Sequence, residues 1–399
     1  MSYPANRTPE HLLASDQAAG FEISDDFERF DQRNDIFTRA FWDERVTSND
    51  TDAFFASYRM EAAPRRGDGF TQKDFALRNA AWLISDIVSE RSAAEGLREG
   101  FQGAIRDDTP VAPDKAELGT PEAEAAEMKA IAKLFGADLV GITDFDARWH
   151  YSARPDVRTM EAVPNDLPEG LGQVIVMGHA MDADLVETYP SALAGAATGR
   201  EYSHEAAIVM QVAAYIRNLG YRAVASMNDT ALVIPYAVKA GLGEYGRNQM
   251  VLTPEYGPRV RFSKIFTDMP LAVDAVKPLG LKDYCEGCDV CAVACPVKAL
   301  PFGAPAFGGK GPSAINGVKK WTSDAEACFG YWAKLRSDCA ICMRVCPFTM
   351  PRRGVLDRLW YRLAVGELGG WGRKVARRWA GRRARARVKP REWWAARRP

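Results

Sequence analysis

Eight cysteines confined to one segment constrain this chain more than any other feature of its sequence. All of them lie between positions 285 and 346 of a chain of 399 residues, and the remainder contains none. A disulfide framework would spread its bridges through a small secreted domain, which this distribution does not resemble. The cysteines therefore predict a metal or cluster site.

The first four cysteines have the spacing C-x2-C-x2-C-x3-C-P, and the last four repeat it with a ten-residue insert between Cys328 and Cys339 in place of the first two residues. In bacterial ferredoxins three thiolates of such a run hold one [4Fe–4S] cluster, and the fourth cysteine ligates the other cluster. By this rule the ligands of one cluster are Cys285, Cys288, Cys291 and Cys346. Those of the second are Cys328, Cys339, Cys342 and Cys295.

Zinc is the alternative interpretation, because two C-x2-C pairs are able to form a tetrahedral zinc site. A zinc site does not require the third cysteine or the C-P ending that both copies contain. We therefore predict two [4Fe–4S] clusters. The insertion leaves open a different cluster type or a distant fourth ligand at the second site.

The length and the hydrophobic fraction of 47% suffice for two or three domains. Helical patterning is predicted at 71–101, 121–136 and 202–221, and strands at 137–143, 172–181 and 222–226. The alternation after residue 120 favours an α/β or α+β domain. The predicted regions are a helical and aromatic N-terminal region at 1–120, a domain at 121–280, the cysteine module at 281–350 and a basic tail at 351–399.

Residues 228–271, directly before the cysteines, resemble the corrinoid-dependent reductive dehalogenases in the stretch "NDTALVIPYAVKAGLGEYGRNQMVLTPEYGPRVRFSKIFTDMPL". Segments at 27–44, 174–207 and 215–232 are similar to the same family. The epoxyqueuosine reductases share the AGLGE-type segment and the two cysteine motifs. The resemblance implies an α+β fold in which a nitroreductase-like, cobalamin-binding α/β domain at 121–280 adjoins a ferredoxin-like module, with the N-terminal region packed on it.

The resemblance also implies how the cobalamin is bound. In the family it is base-off, with no protein histidine on cobalt. The sequence agrees with this, because none of its four histidines, His11, His150, His179 and His204, lies in a D-x-H-x-x-G motif.

The acid site that the resemblance implies consists of Tyr202, Asn228 and Arg261. Reduction of a carbon–halogen bond to carbon–hydrogen needs two electrons and a proton, which Tyr202 would donate. A permanent cation such as Arg261 favours the phenolate left behind, and Asn228 offers a hydrogen-bond donor. Without the resemblance these would be interpreted as a packed tyrosine, a turn and an edge-strand charge; Arg259 is the alternative cation.

The segment "AGLGEYGRNQM" contains G-x-G-x-x-G spacing but lacks a preceding strand, so it is not a dinucleotide fingerprint. We interpret its residues as contacts to the corrinoid, with a structural turn as the alternative. They are Gly241, Gly243, Glu244, Gly246, Arg247 and Asn248.

Charge is unevenly distributed: residues 351–399 contain 16 Lys and Arg against 3 Asp and Glu, although the whole chain has no net charge. Three interpretations of the tail remain: a disordered or body-clasping extension, contact with a membrane surface, and, least favoured, nucleic-acid binding. No signal peptide or membrane span is evident, so a cytoplasmic protein is expected.

The function expected from the resemblance is reductive dehalogenation. Electrons pass through two clusters to give cob(I)alamin, which reduces an organohalide while Tyr202 supplies the proton. No flavin or nicotinamide domain is evident, so a ferredoxin or flavodoxin and its reductase are the expected donors. The alternatives are an epoxyqueuosine reductase, whose acid is an aspartate such as Asp229, and a two-cluster electron-transfer protein, for which about 280 upstream residues are too many.

Overall fold

A four-stranded antiparallel sheet lies at the centre of the computed structural model, which describes residues 8–59, 67–97, 109–349, 354–383 and 387–397. The strands are β1 Leu139–Asp144, β2 Arg154–Pro155, β3 Ala162–Val163, β4 Gln173–Ala180, β5 Ala223–Ser226, β6 Glu244–Tyr245, β7 Val251–Leu252 and β8 Val260–Thr267. The central sheet has the order β1-β4-β8-β5, and the remaining strands form two short hairpins.

Fifteen α-helices are found in the described ranges. They are α1 Glu10–Ala18, α2 Ile36–Arg39, α3 Asn49–Ala56, α4 Gln72–Ala93, α5 Pro121–Phe135, α6 Ala183–Val186, α7 Ala192–Asn218, α8 Val233–Lys239, α9 Leu281–Glu286, α10 Val290–Ala294, α11 Ala325–Leu335, α12 Ile341–Arg344, α13 Val355–Ala364, α14 Gly369–Arg383 and α15 Pro390–Ala395. The mixed α+β fold predicted from the sequence is confirmed.

Both faces of the central sheet are covered, which explains why β4 and β8 are buried along most of their length. One face packs against α5 and α7 through Ile175, Met177 and Ile265. The other packs against α8 and N-terminal aromatic residues through Val176 and Phe266. Residues alternate between these faces along β8, so Arg261 and Ile265 face α7.

Local sequence signals account for several element boundaries. Helix α5 begins after Thr120, whose hydroxyl accepts a hydrogen bond from the Ala123 N–H, and ends at Gly136 in the left-handed conformation. The three strands predicted at 137–143, 172–181 and 222–226 are confirmed within two residues.

Two predicted helices have different bounds. Helix α7 begins at Ala192, ten residues before the predicted start, because Ser191 caps it and the intervening small residues are buried. Tyr202 therefore lies in the middle of a buried helix. Helix α4 ends at Ala93, before the predicted end at 101, and the part of that prediction beyond residue 97 lies outside the described residues.

The cysteine segment forms a separate module of short helices, α9 to α12, which packs against the β6–β7 hairpin. The ten residues inserted after Cys328 continue α11 to Leu335, so the insertion lengthens a helix. Phe329 and Ala333 of this helix pack against Phe54 of α3. The N-terminal region thereby holds the module against the rest of the protein.

The basic tail is helical and packs on the body. Trp360 and Ala376 lie in one apolar cluster with Tyr284 of α9, and the Trp394 indole donates a hydrogen bond to Asp74 at 2.8 Å. These contacts agree with the body-clasping interpretation. Among the described residues, no helix is long and apolar enough to cross a membrane.

Candidate active site

Tyr202, Asn228 and Arg261 lie in direct contact, although 59 positions separate the first from the last. The Asn228 Nδ2 atom donates a hydrogen bond to the Tyr202 hydroxyl at 2.5 Å, and Arg261 Nη2 donates to Asn228 Oδ1 at 3.2 Å. The Arg261 guanidinium also lies 3.5 Å from the Tyr202 ring centroid. The three side chains form one hydrogen-bonded cluster.

Three separate elements supply these residues. Tyr202 projects from α7 onto the sheet, Arg261 projects from β8 toward α7, and Asn228 follows the end of β5. Strand β8 pairs with both β4 and β5, so Arg261 lies on a central strand and not on the edge strand of the alternative interpretation. Arg259 points elsewhere, donating to the carbonyls of Met181 and Thr349.

The Tyr202 phenol is protonated at neutral pH. Burial raises its pKa to about 12, although the Arg261 charge and the Asn228 hydrogen bond act in the opposite direction. The indole of Trp82 stacks on the ring with 4.5 Å between centroids. Tyr202 thus has a proton to donate, and the phenolate that would remain has two stabilising neighbours, Arg261 and Asn228.

A buried carboxyl group completes the surroundings of Arg261. Glu205 lies one helical turn after Tyr202, with its Oε2 atom 3.4 Å from Arg261 Nε. Burial raises the pKa of Glu205 to about 7, although Arg261 and Lys264 favour its charged form. His179, opposite Arg261 on β4, has a pKa lowered to about 3 by burial and by Arg261, and is therefore neutral.

Asp229, the alternative acid, lies behind this cluster. Its carboxylate accepts hydrogen bonds from the Met227 N–H at 2.8 Å and the Thr230 hydroxyl at 2.5 Å. The Lys264 ammonium donates to the carbonyls of Met227 and Asp229, and its pKa is lowered to about 8, first of all by burial. Asp229 thus shapes the loop that presents Asn228.

The cluster forms part of the wall of a cavity of about 500 Å³. Apolar side chains from the N-terminal region, α8 and α11 dominate the lining, among them Phe37, Ile234 and Trp332. Cys328 of the cysteine module also lines it. A cavity of this size with apolar walls and a few convergent polar groups is typical of a cofactor or small-molecule site.

Comparisons with known proteins assign both parts of the chain. Residues 160–271 match the family model "Reductive dehalogenase subunit", and residues 284–350 match the "4Fe-4S dicluster domain". The tetrachloroethene reductive dehalogenase of Dehalobacter restrictus is 35% identical over 269 residues, covering 56% of this chain and 48% of that protein. Over these residues the chain is similar to the reductive dehalogenases.

A solved reductive dehalogenase structure, described as suggesting a mechanism for B12-dependent dehalogenation, has the same fold. It superposes with a TM-score of 0.71 at 22% identity over 94% of this chain and 49% of the solved one. An epoxyqueuosine reductase of Bacillus cereus is 39% identical over only 79 residues, which cover 19% of this chain and 20% of that protein. The chain spans about half the length of the reductive dehalogenases that it matches.

The cysteines of this chain are arranged in two sets. Cys285, Cys288, Cys291 and Cys346 line one small cavity of about 20 Å³. For the other four cysteines, burial and the charges of Cys339 and Cys295 raise the thiol pKa of Cys328. Burial and the charges of Cys328, Cys339, Cys291 and Cys295 raise that of Cys342. The assignment of the two sets to two clusters stays a prediction.

The donor chemistry of both sets fits an iron–sulfur cluster. Burial raises the thiol pKa of Cys285 and of Cys328 to about 12, so these groups require a strongly positive partner to ionise. No group of three or more His, Cys, Asp or Glu side chains in the described residues has the geometry to hold a single metal ion. Cluster ligands stand wider apart than the ligands of one ion, because the cluster occupies the space between them.

The glycines of the segment "AGLGEYGRNQM" have a local structural explanation. Gly241 ends α8 with a positive φ of 72°, and a Cβ atom at Gly243 would overlap the Leu252 carbonyl in the β6–β7 hairpin. Gly246 closes that hairpin, donating to the Met250 carbonyl. Corrinoid contact by these glycines stays a prediction.

The polar residues of the same segment point in different directions. Glu244 lines the cavity of about 500 Å³ and also accepts hydrogen bonds from the N–H groups of Leu279 and Lys282. Arg247 donates to carbonyls of the cysteine module, including Cys285 and Cys288, and Asn248 lines the cavity of the first cysteine set. Of these three, Glu244 alone lines the cavity that Tyr202, Asn228 and Arg261 border.

Two residues beside Tyr202 and Arg261, Glu205 and Trp82, were not predicted from the sequence. Glu205 follows Tyr202 by three positions in a predicted helix, so helical periodicity places it on the same face and was a usable signal. Trp82 lies 120 positions upstream of Tyr202 and carries no local signal of its contact with the phenol ring.

Proposed function

We propose that this chain catalyses reductive dehalogenation at the end of the cavity formed by Tyr202, Asn228 and Arg261. One observation carries the proposal: the three side chains form a hydrogen-bonded acid site on the same cavity that Cys328 lines. The proposed proton donor Tyr202 and the proposed cluster ligand Cys328 therefore border the same cavity. The relatives named tetrachloroethene reductive dehalogenase support an organohalide as the substrate class.

In the proposed reaction the carbon–halogen bond breaks and a carbon–hydrogen bond forms. Two electrons and one proton are consumed, and a halide ion leaves. Tyr202 transfers its hydroxyl proton to carbon. The Asn228 amide and the Arg261 charge, both already in contact with Tyr202, stabilise the phenolate without reorganisation.

The proposed cofactors are a base-off cobalamin and two [4Fe–4S] clusters. When bound, the corrinoid supplies the low-potential electrons for cleavage of the carbon–halogen bond. Apolar cavity residues such as Ile234, Phe329 and Trp332 would hold it and exclude water. All four histidines lie in the described residues and none lines the cavity, which supports binding without a histidine ligand.

We assign one cluster to Cys285, Cys288, Cys291 and Cys346, and the other to Cys295, Cys328, Cys339 and Cys342. Cys328 lines the cavity, so its set would pass electrons to the corrinoid. The other set would receive them from an external ferredoxin or flavodoxin.

Epoxyqueuosine reduction is the alternative activity. It requires an aspartate at the substrate, whereas Asp229 is 2% exposed and bonded to Met227 and Thr230. Asp229 is also not a lining residue of the cavity. The geometry therefore favours a tyrosine acid.

The protein reconstituted anaerobically with iron, sulfide and hydroxocobalamin tests this function. We expect bound corrinoid with the EPR spectrum of base-off cob(II)alamin, and halide release from haloalkenes or haloaromatics with reduced viologen as donor. Tyr202→Phe should lower the rate of halide release by about a hundredfold or more, since proton donation contributes at least that much.

Tyr215→Phe is the matched control, because it removes a hydroxyl from the same helix that donates only to Glu127. Its rate should equal that of the unsubstituted protein. A protein that binds no corrinoid would disprove the proposed function. Full activity in Tyr202→Phe would disprove Tyr202 as the proton donor while leaving the activity itself intact.

A further inference from the structure

The two cysteine sets differ in whether they reach the cavity that Tyr202, Asn228 and Arg261 border. Cys328 lines the cavity of the acid site, whereas none of Cys285, Cys288, Cys291 and Cys346 does. Cys285 and Cys346 lie instead in an apolar cluster with Trp360 and Ala376 of the tail. We call Cys285, Cys288, Cys291 and Cys346 the outer set. External electrons that enter at the outer set therefore approach through the region that the tail covers.

Helix α14 is fixed directly above the first cysteine loop. The Arg377 guanidinium donates to the carbonyls of Asp283 and Tyr284 at 2.8 and 2.9 Å, and it contacts Gly287. Arg373 forms an ion pair with Asp283 at 3.3 Å. These contacts anchor the inner side of α14 beside the outer cysteine set.

The outer face of α13 and α14 combines exposed apolar and basic side chains. Trp371 is 69% exposed and Leu359 46%, and Arg358, Lys374 and Arg378 are exposed beside them on the same two helices. Most exposed faces of single-domain proteins avoid large aromatic residues, and aromatic and arginine side chains are enriched at interfaces. We define these five residues as the tail face.

We propose that the tail face is the docking surface for a small acidic electron-transfer protein that reduces the cluster held by the outer cysteine set. The inference rests on the proposed function, which requires an external donor. Each encounter transfers one electron, oxidising the donor and reducing the cluster by one, so two encounters supply one dehalogenation.

Charge complementarity supports this partner. The tail contains 16 Lys and Arg against 3 Asp and Glu, and the rest of the chain has the opposite excess. An acidic donor would therefore be drawn to the tail and repelled elsewhere, which raises its association rate and orients it. An anionic membrane shares the attraction, but the position above the outer cysteines favours an electron donor.

The test uses the reconstituted holoenzyme and a flavodoxin in its fully reduced form. Loss of cluster absorbance after rapid mixing measures the second-order rate of electron transfer, and no organohalide is needed. The double variant Lys374→Glu/Arg378→Glu should lower this rate by about tenfold or more. Trp371→Ser should also lower it, and added salt should slow the unsubstituted protein but not the double variant.

The matched control is Lys133→Glu/Lys310→Glu, which makes the same change in charge at exposed sites on other parts of the surface. Its rate should stay within about twofold of the unsubstituted protein. Reduction by dithionite should be equal in all variants, which shows that their clusters are intact.

Equal flavodoxin rates in the two double variants would overturn the proposal. So would binding to vesicles of phosphatidylcholine and phosphatidylserine that depends on Lys374 and Arg378 while their substitution leaves the flavodoxin rate unchanged. Absence of halide release with reduced viologen would refute the proposed function instead, because that assay bypasses the docking surface.

Discussion

At the scale of single residues, the acid site places a buried phenol between groups that favour opposite charge states. Burial and Glu205 favour the neutral phenol of Tyr202, whereas Arg261 and Asn228 favour the phenolate. The phenol is consequently protonated at neutral pH, and in the proposed reaction it would give its proton to the carbon that loses the halide. Arg261 is central because it contacts Tyr202, Asn228 and Glu205 together.

Replacement of Arg261 by Gln should reduce halide release by about a hundredfold, because the phenolate loses its cation. Arg261→Lys should recover part of the activity, since the charge remains but the fork of donors is lost. Arg259→Gln serves as the control: its guanidinium contacts Met181 and Thr349 outside the acid site. A larger loss in Arg259→Gln than in Arg261→Gln would contradict the assignment.

Glu205 should make the stability of the protein depend on pH. Its pKa is raised by burial from an ordinary value of 4.5 to about 7, so the folded state binds more protons than the unfolded state between these values. Stability should therefore fall as pH rises through this window, by an amount on the order of 2 kcal/mol.

Melting temperatures measured between about pH 5 and about pH 8 test this dependence. Glu205→Gln should flatten the profile in part, since burial also raises the pKa of Glu201 to about 7 and that contribution persists. Glu122→Gln, at an exposed position in the first turn of α5, should leave the profile unchanged. An identical slope in Glu205→Gln and the unsubstituted protein would show that Glu205 titrates normally.

At the scale of elements, the site depends on the close approach of α4 and α7. Gly199 on α7 lies against the Trp82 indole, and Trp82 in turn stacks on Tyr202. A side chain at Gly199 would overlap that indole. The glycine thus sets the distance between two helices and the position of an aromatic ring beside the acid.

Gly199→Ala should destabilise the protein by about 1 to 3 kcal/mol and lower activity, because Trp82 must move away from Tyr202. Gly330→Ala in α11 is the matched control, since a Cβ atom there meets nothing within 4 Å. It should be neutral or stabilising by up to about 1 kcal/mol. Thermal melts and halide release distinguish the two variants. Equal melting temperatures and equal rates would mean that α4 moves without loss of free energy of unfolding.

At the scale of the whole molecule, the cavity is formed by parts that are distant in sequence. The sheet and α7 supply the acid, α11 of the cysteine module supplies Cys328, and the N-terminal region supplies Phe37. Arg247 connects the parts by donating to five carbonyls around the first cysteine loop, those of Cys285, Glu286, Cys288, Pro301 and Gly303.

Arg247→Lys should lower the bound iron by about half, because one ammonium cannot replace the planar set of donors that shapes the loop of the outer cluster. Iron and sulfide analysis after anaerobic reconstitution measures the loss. Arg222→Lys alters an ion pair with Asp268 at the far end of the sheet and should leave the iron content unchanged. Full iron content in Arg247→Lys would show that the cysteines alone define the loop.

The sequence by itself determined the chemistry that is encoded locally. Cysteine spacing specified the iron–sulfur module, since each loop wraps a cluster within a few residues, and apolar runs specified β1, β4 and β5. The resemblance singled out Tyr202, Asn228 and Arg261.

Tertiary structure alone decided the remainder, because burial and contact between distant segments leave no local pattern. It brought Trp82 and Glu205 to the acid, removed Asp229 from the cavity by enclosing it beside Lys264, and directed Arg247 toward the cysteine module. The composition of the basic tail allowed several interpretations. In the structure its helices α13 and α14 pack over the outer cysteines.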